Sequence, residues 1–414
     1  MTTTATDTDY HLLAQPFRPI FDRIAAGNVA REHQRILPGE AIRWLKEAGF
    51  GALRIAKIDG GAGATLPQLL QLFTELAEAD ANVPQALRGH FAFVEDLLNQ
   101  PDSPRKQRWL RRIVAGELLG NAWSETGSVK LGETATTVTP TASGWQLNGE
   151  KFYSTGSLFA DWIDVLARRS DTQEIVIAVV STHQPGVQRE DNWDGFGQRL
   201  TGSGTTRFDN AHVDTDQVTP FSERFRYQTA FYQHVLLATL AGIARAVTRD
   251  AARGVRDRTR VYSHGNGGAV RQDAQVLQVV GEISAWSFAT QASAQRAALS
   301  LQRVWEQRHR PDAEVALLNQ IAEVEADQAQ VVATELVPRA ATHLFNALGA
   351  SDTRKAGALD RHWRNARTVA SHNPVIYKAR IAGEWLVNGT PPVFIWQIGQ
   401  GDHYREQENQ ALAQ

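Results

Sequence analysis

Apolar residues recur at helical spacing through the first part of the chain, from Phe17 to about Val114. Two such faces are formed by Ala41, Leu45 and Ala48, and by Leu69, Leu72, Phe73 and Leu76. Residues three or four positions apart return to the same side of an α-helix, so each set makes one apolar stripe. The pattern predicts a helical N-terminal domain over residues 1–118.

Short runs with strand-like alternation replace this spacing between about Leu119 and Pro220. The runs are TATTVTP, WQLNGEKFY, WIDVLAR, EIVIAVVS and TTRFDNAHV, and turn-forming pairs such as Ser-Gly occur in the same region. A period of two residues is typical of strands that bury one face of a sheet. The region predicts a compact antiparallel β domain over residues 119–222.

Helical spacing returns after Thr219 and continues for nearly the rest of the chain. Two stripes are Leu240, Ile243, Val247 and Ala251, and Val276, Val280, Ile283 and Ser287. An alanine-rich segment at 316–348 adds a third stripe, which Pro338 is expected to interrupt because proline has no backbone N–H. The long helices predict a C-terminal four-helix bundle over residues 223–414. The order of helices, sheet and helices predicts an α+β fold without βαβ units.

Charge and composition narrow the choice of partners. Lys and Arg number 43 against 45 Asp and Glu, which leaves a net charge of −2. A chain with this balance has no overall field to attract nucleic acid or an anionic membrane. No run of about 18 apolar residues is present, and the first twenty residues have no apolar core of a signal peptide. We therefore expect a cytoplasmic protein whose partners are small molecules or proteins.

Several common kinds of site are excluded by their motifs. There is no Cys, the twelve His are scattered, and no H-E-x-x-H occurs, so no metal site is expected. The chain also has no Walker lysine, no G-x-G-x-x-G between a strand and a helix, and no G-x-S-x-G. The loop TGSGTT at 201–206 leaves two interpretations open, the polar edge of a cofactor site or a plain connection between strands.

Four segments resemble the flavin-dependent monooxygenase branch of the acyl-CoA dehydrogenase superfamily. They are GNAWSETG (120–127), GEKFYSTGSLFADWID (149–164), DNWDGFGQRLTGSGTTRFDN (191–210) and LDRHWRNARTVASHNPVIYK (359–378). The resemblance is to the bacterial organosulfur group, which includes dibenzothiophene monooxygenase and the sulfur-acquisition oxidoreductases. It implies the acyl-CoA dehydrogenase fold across essentially the whole chain, with a flavin beside the β domain.

The first three segments supply the flavin contacts that the resemblance implies. Asn121 and Ser124 match polar positions on the pyrimidine side of the flavin. Thr155 matches the position whose hydroxyl and amide face flavin N5, where a donor helps to hold an oxygen adduct at C4a. Trp193 matches an aromatic wall of the flavin and substrate cavity. From the residues alone, a strand threonine and a core tryptophan remain open as alternatives.

The fourth segment is implied to carry the proton chemistry. His372 matches a histidine of the oxygenase branch that donates to the reacting oxygen. Asn373 falls where acyl-CoA dehydrogenases often carry a glutamate base, and an amide cannot take that proton. Arg364 and Arg367 would hold the cofactor or an anionic group of the substrate. Ion-paired arginines at a helix end and a structural histidine are the ordinary alternatives.

Further matches lie outside these segments, and some positions depart from the family. His90 matches a histidine of the substrate pocket, and Arg258 and Arg260 match a basic segment that reaches the cofactor phosphate at a subunit interface. Val369 stands where several relatives have a second histidine. Trp123 is bulkier than the small residue usual after Gly-Asn-Ala, which suggests a narrower cavity and a small substrate.

Together these matches imply a cytoplasmic homotetramer that uses reduced FMN, with FAD the less expected flavin. A separate NAD(P)H:flavin reductase would supply it, since the chain has no nicotinamide-binding motif of its own. The expected reaction activates O2 as a flavin C4a-(hydro)peroxide and oxygenates a small sulfone or sulfinate. The alternatives are N-hydroxylation of an amine or indole, an FAD-dependent acyl-CoA dehydrogenase, and a flavin-fold protein without catalysis.

Overall fold

The computed structural model describes residues 5–126 and 133–392, which form two compact units. The helical unit contains residues 5–85, 194–201 and 226–392, and the sheet unit contains residues 86–126, 133–193 and 202–225. The predicted division into residues 1–118, 119–222 and 223–414 stays a prediction, and its first and last residues lie outside the described ranges.

Helices dominate both ends of the described chain. They are α1 (Ala5–Ala14), α2 (Arg18–Gln34), α3 (Gly39–Glu47), α4 (Leu66–Ala79), α5 (Asn82–Asn99), α6 (Pro104–Val114), α7 (Gln228–Asp257), α8 (Ala274–Glu306), α9 (Asp312–Leu348), α10 (Asp360–Ala370) and α11 (Ile376–Asn388). Most of α5 and all of α6 belong to the sheet unit. The others belong to the helical unit.

The core of the helical unit joins α7, α8, α9 and α10. The stripe Leu240, Ile243, Val247 and Ala251 is buried, with exposed fractions of 1% or less. Helix α9 is continuous through Pro338, so the expected interruption is absent. Its neighbours Val337 and Ala340 are fully buried in this core, and packing on both sides of the proline holds the helix together.

Helix α7 is the central element of this core. Among residues 5–126 and 133–392 it alone is long and apolar enough to cross a membrane, but 89% of its most apolar window is buried inside the protein. This burial is typical of the core helix of a helical bundle.

The sheet unit is built on one eight-stranded sheet. Its strands are β1 (Leu119–Ala122), β2 (Thr137–Thr141), β3 (Gly144–Lys151), β4 (Trp162–Arg169), β5 (Ile175–Ser181), β6 (Val187–Glu190), β7 (Thr205–Val213) and β8 (Val218–Pro220). The strand order is β6-β7-β3-β2-β4-β5-β8, and β1 pairs with β4 beside this path. The apolar side chains of β4 and β5 form the centre of the sheet core.

The sheet is mixed, whereas the sequence pattern suggested antiparallel pairing throughout. Strands β1 and β2 both pair with β4 in parallel, while pairs joined by short turns, such as β2 with β3, are antiparallel. A tight turn fixes the direction of the next strand, but strands joined by long connections are free of that constraint. The helix–sheet–helix plan is unaffected by this difference.

A tight turn follows β3 and carries Thr155. Tyr153 and Gly156 have positive φ angles of +57° and +79°. A Cβ atom on Gly156 would lie 2.1 Å from the carbonyl oxygen of Ala86 in α5, so only glycine fits there. On the other side, a Cβ on Gly120 would lie 2.6 Å from the Cα of Ser157. The turn is therefore held closely between α5 and β1.

In the helical unit, a buried ion cluster ties α10 to α7. Asp250 accepts hydrogen bonds from Arg361 at 3.0 Å and from Nε2 of His362 at 2.9 Å, and all three side chains are buried. Burial, aided by the charge of Arg361, lowers the pKa of His362 to about 4. Burial acts to raise the pKa of Asp250, but the hydrogen bond from His362 and the nearby arginines hold it below its usual range.

This cluster predicts a specific loss of stability in acid. The unfolded chain protonates His362 near pH 6.5 and the folded protein only near pH 4, so stability falls as the pH drops through this window. His362→Gln keeps a donor for Asp250 without a titrating group. Between pH 7 and pH 4, we expect wild type to lose on the order of 3 kcal/mol more unfolding free energy than the variant, measured by urea unfolding. The exposed His183→Gln is the control, and parallel pH curves for wild type and His362→Gln would contradict the assignment.

The turn after β3 predicts a second effect on stability. Gly156→Ala places a side chain against the Ala86 carbonyl at a positive φ, and we expect a destabilisation of about 2 to 3 kcal/mol in urea unfolding. Gly383→Ala in α11 is the matched control, because a Cβ there meets nothing within 4 Å, and it should be neutral or stabilising by up to about 1 kcal/mol. Equal effects of the two substitutions would show that the turn is not constrained in this way.

Candidate functional site

Two predicted site residues, Asn121 and Thr155, lie side by side in the sheet unit. The Asn121 N–H donates to the Thr155 carbonyl at 3.4 Å, and both side chains are buried. The Thr155 hydroxyl lies 2.8 Å from that of Ser203, and the Thr155 N–H donates to the Tyr153 carbonyl at 2.7 Å. Thr155, in the turn after β3, therefore contacts both β1, through Asn121, and the TGSGTT loop, through Ser203.

Three buried oxygen atoms in this region have no hydrogen-bond partner within residues 5–126 and 133–392. They are Oδ1 of Asn121 and the hydroxyl oxygens of Ser154 and Ser157. Buried polar atoms are normally paired, so each of these oxygens is available to a polar ligand or a water molecule. An amide oxygen and two hydroxyls can meet both donors and acceptors, which the pyrimidine edge of a flavin presents. The residues present therefore fit a flavin.

A buried ion pair between Lys151 and Glu125 holds the segment 123–125 in place. Lys151 Nζ donates to Glu125 at 2.6 Å and to the Trp123 carbonyl at 3.2 Å. Burial acts to raise the pKa of Glu125, but the hydrogen bonds from Lys151 and Thr134 lower it to about 2. Glu125 is therefore charged at neutral pH and serves as a brace. Ser124, half-buried beside it, accepts the Phe152 N–H at 2.9 Å through its carbonyl.

Trp123 is engaged with a second buried network. Its Nε1 donates to Asp164 at 2.9 Å, and its ring meets Phe221 edge-on at 5.6 Å. The guanidinium of Arg224 lies 5.0 Å from the ring centroid and bonds Asp164 at 2.9 Å. These contacts give the indole a packing role, and the narrowing of the substrate cavity by Trp123 stays a prediction.

His90 is fully buried, and its hydrogen bonding defines the tautomer of its ring. Its Nδ1 accepts the Leu119 N–H at 3.3 Å, so the neutral ring carries its proton on Nε2. The ring lies edge-on to Phe91 at 5.1 Å. This bond connects His90 to the first residue of β1, two positions before Asn121.

An aromatic group lies beside Thr155. Trp193 is half-buried and meets Tyr153 edge-on at 5.8 Å, and Tyr153 meets Phe152 at 4.6 Å. Tyr153 is 48% exposed although it is aromatic, and its backbone is left-handed. Such a conformation is costly for a bulky residue and is characteristic of functional sites. Sequence reasoning missed Tyr153, and it also missed Ser154, Ser157 and Ser203.

The sequence contains a recognisable pattern at the three serines but none at Tyr153. Ser203 lies in the TGSGTT loop, where a cofactor edge was one of two open interpretations. Ser154 directly precedes Thr155 and Ser157 follows it by two positions, so the hydroxyl-rich run STGS was visible. Nothing in the sequence marks Tyr153 as left-handed, because that conformation is imposed by the packing around the turn.

In the helical unit, His372 and Asn373 lie in the turn between α10 and α11. His372 is exposed, its N–H donates to the Val369 carbonyl at 3.2 Å, and Asn373 is half-buried. Arg367 is exposed near the end of α10, and its carbonyl accepts the N–H and hydroxyl of Ser371. The turn therefore presents an imidazole and an amide at the end of a helix.

The remaining predicted arginines are less closely grouped. Arg364 donates to Glu32 at 2.6 Å, to Asp360 at 2.8 Å and to the Phe196 carbonyl at 3.0 Å, so its guanidinium has three intramolecular partners. Arg258 donates to the Leu348 carbonyl at the end of α9, and Arg260 is exposed in the connection after α7. Cofactor contacts by these side chains stay predictions.

Asn121, Ser124, Thr155 and Trp193 thus all lie in the sheet unit. His90 lies there too and is hydrogen-bonded to Leu119, two residues before Asn121. The helical unit gathers Arg364, Arg367, His372 and Asn373 on α10 and its following turn. No group of three or more His, Cys, Asp or Glu that suits a metal ion occurs in the described part of the chain.

Family models of the acyl-CoA dehydrogenases match most of the chain. The N-terminal domain model matches residues 9–117, the middle domain model residues 122–211 and the C-terminal domain model residues 235–376. The three matches occur in the order that the resemblance implied.

Individual relatives agree with this match. Dibenzothiophene monooxygenase of Mycolicibacterium goodii is 28% identical over 84% of this chain and 87% of its own length. The probable FMNH2-dependent monooxygenase SfnC of Pseudomonas putida is 24% identical over 91% of this chain and 94% of its own length. The crystal structure of FMN-bound TdsC from Paenibacillus sp. A11-2 superposes with a TM-score of 0.84 at 29% identity and covers 93% of this chain and 99% of that chain.

These likenesses confirm the predicted fold, with its helical, sheet and helical regions in order. They extend over nearly the full length of this chain and of each relative. The chain therefore belongs to the acyl-CoA dehydrogenase superfamily, and within it to the flavin-dependent monooxygenase branch.

Proposed function

We propose that this protein is a two-component, FMNH2-dependent monooxygenase that transfers one oxygen atom of O2 to a small organosulfur compound, a sulfone or a sulfinate. The observation that carries the proposal is the near full-length likeness to dibenzothiophene monooxygenases, one of them with FMN bound. The unpaired polar cluster of Asn121, Ser154 and Ser157 supports it independently of any relative.

The cofactor is FMN, which acts in its reduced form. Reduced FMN, when bound, supplies the electrons and activates O2. Asn121, Ser124 and Thr155 would hold its polar edge, together with the hydroxyls of Ser154 and Ser157. The sequence carries no nicotinamide-binding motif, so a separate NAD(P)H:flavin reductase supplies the reduced flavin. Arg258, Arg260, Arg364 and Arg367 are proposed for the phosphate or an anionic group of the substrate.

Proton handling is proposed for two histidines. His372 stands exposed in its turn, where an imidazole can give or take a proton near neutral pH. His90 keeps a proton on Nε2, because its Nδ1 is occupied by the Leu119 N–H. Asn373 has no acid or base function at neutral pH, which disfavours removal of a substrate α-proton. Thr155 keeps its hydroxyl oriented through Ser203.

We also propose a cytoplasmic homotetramer, in which a second copy of the chain covers α8. Leu277, Phe288 and Leu299 are 48%, 74% and 48% exposed on this helix. They are spaced by 11 residues, about three helical turns, so they lie on one face. An exposed apolar stripe of this length on a 33-residue helix is typical of an interface between long helices.

The activity is tested by supplying the purified protein with reduced FMN and O2 in the presence of candidate sulfones, sulfinates and amines. We expect an oxygenated sulfur product, detected by mass spectrometry with label from ¹⁸O2, and little hydrogen peroxide while the substrate lasts. Thr155→Val should raise peroxide release at the expense of product, because it removes the hydroxyl that Ser203 orients.

Other results would redirect the assignment. Labelled N-oxides without sulfur products would indicate an amine hydroxylase. Reduction of FAD by an acyl-CoA would indicate a dehydrogenase, and stoichiometric peroxide with every substrate would remove the oxygenase proposal.

The oligomer is tested by substitution on the α8 stripe. Phe288→Glu places a charge in the apolar contact, and we expect the tetramer to dissociate into smaller species in size-exclusion chromatography with light scattering. Ile58→Glu is the matched control, since Ile58 is 93% exposed in a short connection outside the stripe. A wild-type monomer, or a tetramer that survives Phe288→Glu, would exclude this interface.

A further inference from the structure

The turn that carries His372 has one buried anchor. Of residues 371–380, all of which the structure describes, only Lys378 is buried, and its exposed fraction is 1%. The neighbouring Ile376 and Tyr377 are 73% and 42% exposed. A lysine is rarely the buried member of an exposed segment, so its placement requires a specific partner.

That partner is a carboxylate on α9. Lys378 Nζ donates to Asp327 Oδ1 at 2.6 Å, and Asp327 is itself 3% exposed. An ammonium ion leaves water only where an opposite charge receives it in good geometry. The bond therefore fixes the first turn of α11, in which Lys378 is the third residue, against one point of α9.

The same face of α9 also holds the start of α7. Glu323, one turn before Asp327 and equally buried, accepts the Ala230 N–H at 2.8 Å. Ala230 is the third residue of α7, where a helix N-terminus has N–H groups without partners of its own. Burial, followed by the charge of Asp327, raises the pKa of Glu323 to about 8. Glu323 is thus mainly neutral at pH 7. Burial also raises the pKa of Asp327, an effect that the charge and hydrogen bond of Lys378 oppose.

The turn between α10 and α11 is held at both ends by different means. On the α10 side, Val369 and Ala370 are buried and Val369 accepts the His372 N–H. On the α11 side, the next buried residues after Lys378 are Ile381 and Ala382, about one turn further along. The bond to Asp327 therefore anchors the first turn of α11 ahead of this apolar contact.

We propose that Lys378 is a positioning residue for His372, which its bond to Asp327 holds in place by fixing the turn of residues 371–375. The inference rests on the proposed function of His372. No contact between Lys378 and a reacting group is implied, because its ammonium ion is turned into the helical unit toward α9.

The test compares three variants with wild type. The double variant Lys378→Met/Asp327→Leu replaces the pair by apolar residues and leaves no unpaired buried charge, so it should fold. Glu384→Gln is the matched control, because it breaks an ion pair of the same helix, with Arg380, that is exposed. His372→Ala tests the function on which the inference rests.

Two measurements are made on each protein. Hydrogen exchange of the apoprotein reports on the amides of residues 371–377 without any cofactor or substrate. The fraction of reduced FMN that ends as hydrogen peroxide reports on the coupling of oxygen to product. For the double variant we expect exchange in this segment to rise by about tenfold and the peroxide fraction to rise several-fold, with neither change in Glu384→Gln.

The outcomes are separable. Unchanged exchange in the double variant would overturn the anchor, and faster exchange with normal coupling would overturn the positioning role. If His372→Ala is fully coupled, the proposed role of His372 fails, while the exchange result still decides whether Lys378 fixes the turn. A fourth variant, Lys378→Arg with Asp327 intact, should keep wild-type exchange and coupling, and loss of either property would contradict a charge-dependent link.

Discussion

A buried polar group needs a hydrogen-bonding partner, and this constraint determines where the polar residues of this chain lie. Most of the buried charges are paired across elements, as Lys151 is with Glu125 and Lys378 with Asp327. These pairs are braces, since an unpaired charge in the same place would be strongly destabilising. The buried oxygens of Asn121, Ser154 and Ser157 are among the polar atoms that have no partner within the described residues, and they lie in the part of the sheet unit for which a flavin is proposed.

The same constraint explains the cationic and aromatic stretch at 361–367. Arg361 and His362 bond Asp250, Arg364 bonds Glu32, and Asn365 accepts the Gln198 N–H at 2.7 Å. Trp363 stacks on Phe196 at 5.7 Å. Most of the stretch thus joins α10 to its neighbours in the helical unit. His372 and Asn373, which are proposed for the site, come shortly after it in the turn that begins at Ser371.

Sequence reasoning located the elements better than the contacts between them. The stripe through Leu240 and Val247 predicted a buried helix because helical periodicity is a local property. The continuity of α9 through Pro338 was missed, because packing on distant residues outweighed a local preference. Parallel pairing of β1 with β4 was missed for a similar reason, since no short turn links the two strands.

The candidate site shows the same division. A run such as STGS reveals hydroxyl groups near Thr155, but which of them lack partners depends on the close approach of α5 and β1. The pairing of Arg364 with Glu32 joins residues far apart in sequence, so the local pattern left open whether this arginine holds an anion or belongs to an ion pair. Lys378 in IYKAR reads as a solvated lysine, and only the fold shows that it is buried.

Pairing also separates the titratable groups that brace the protein from those that are able to move a proton. Glu125 remains charged because Lys151 and backbone N–H groups hold it, and His362 remains neutral because burial and Arg361 disfavour its charged form. His90 is held through its Nδ1, which accepts the Leu119 N–H at the start of β1. His372, in contrast, lies in an exposed turn, where an imidazole is able to exchange protons with solvent. The charges at Glu125 and Lys151 thus fix the scaffold of the sheet unit, whereas His372 lies outside any such buried network of the described residues.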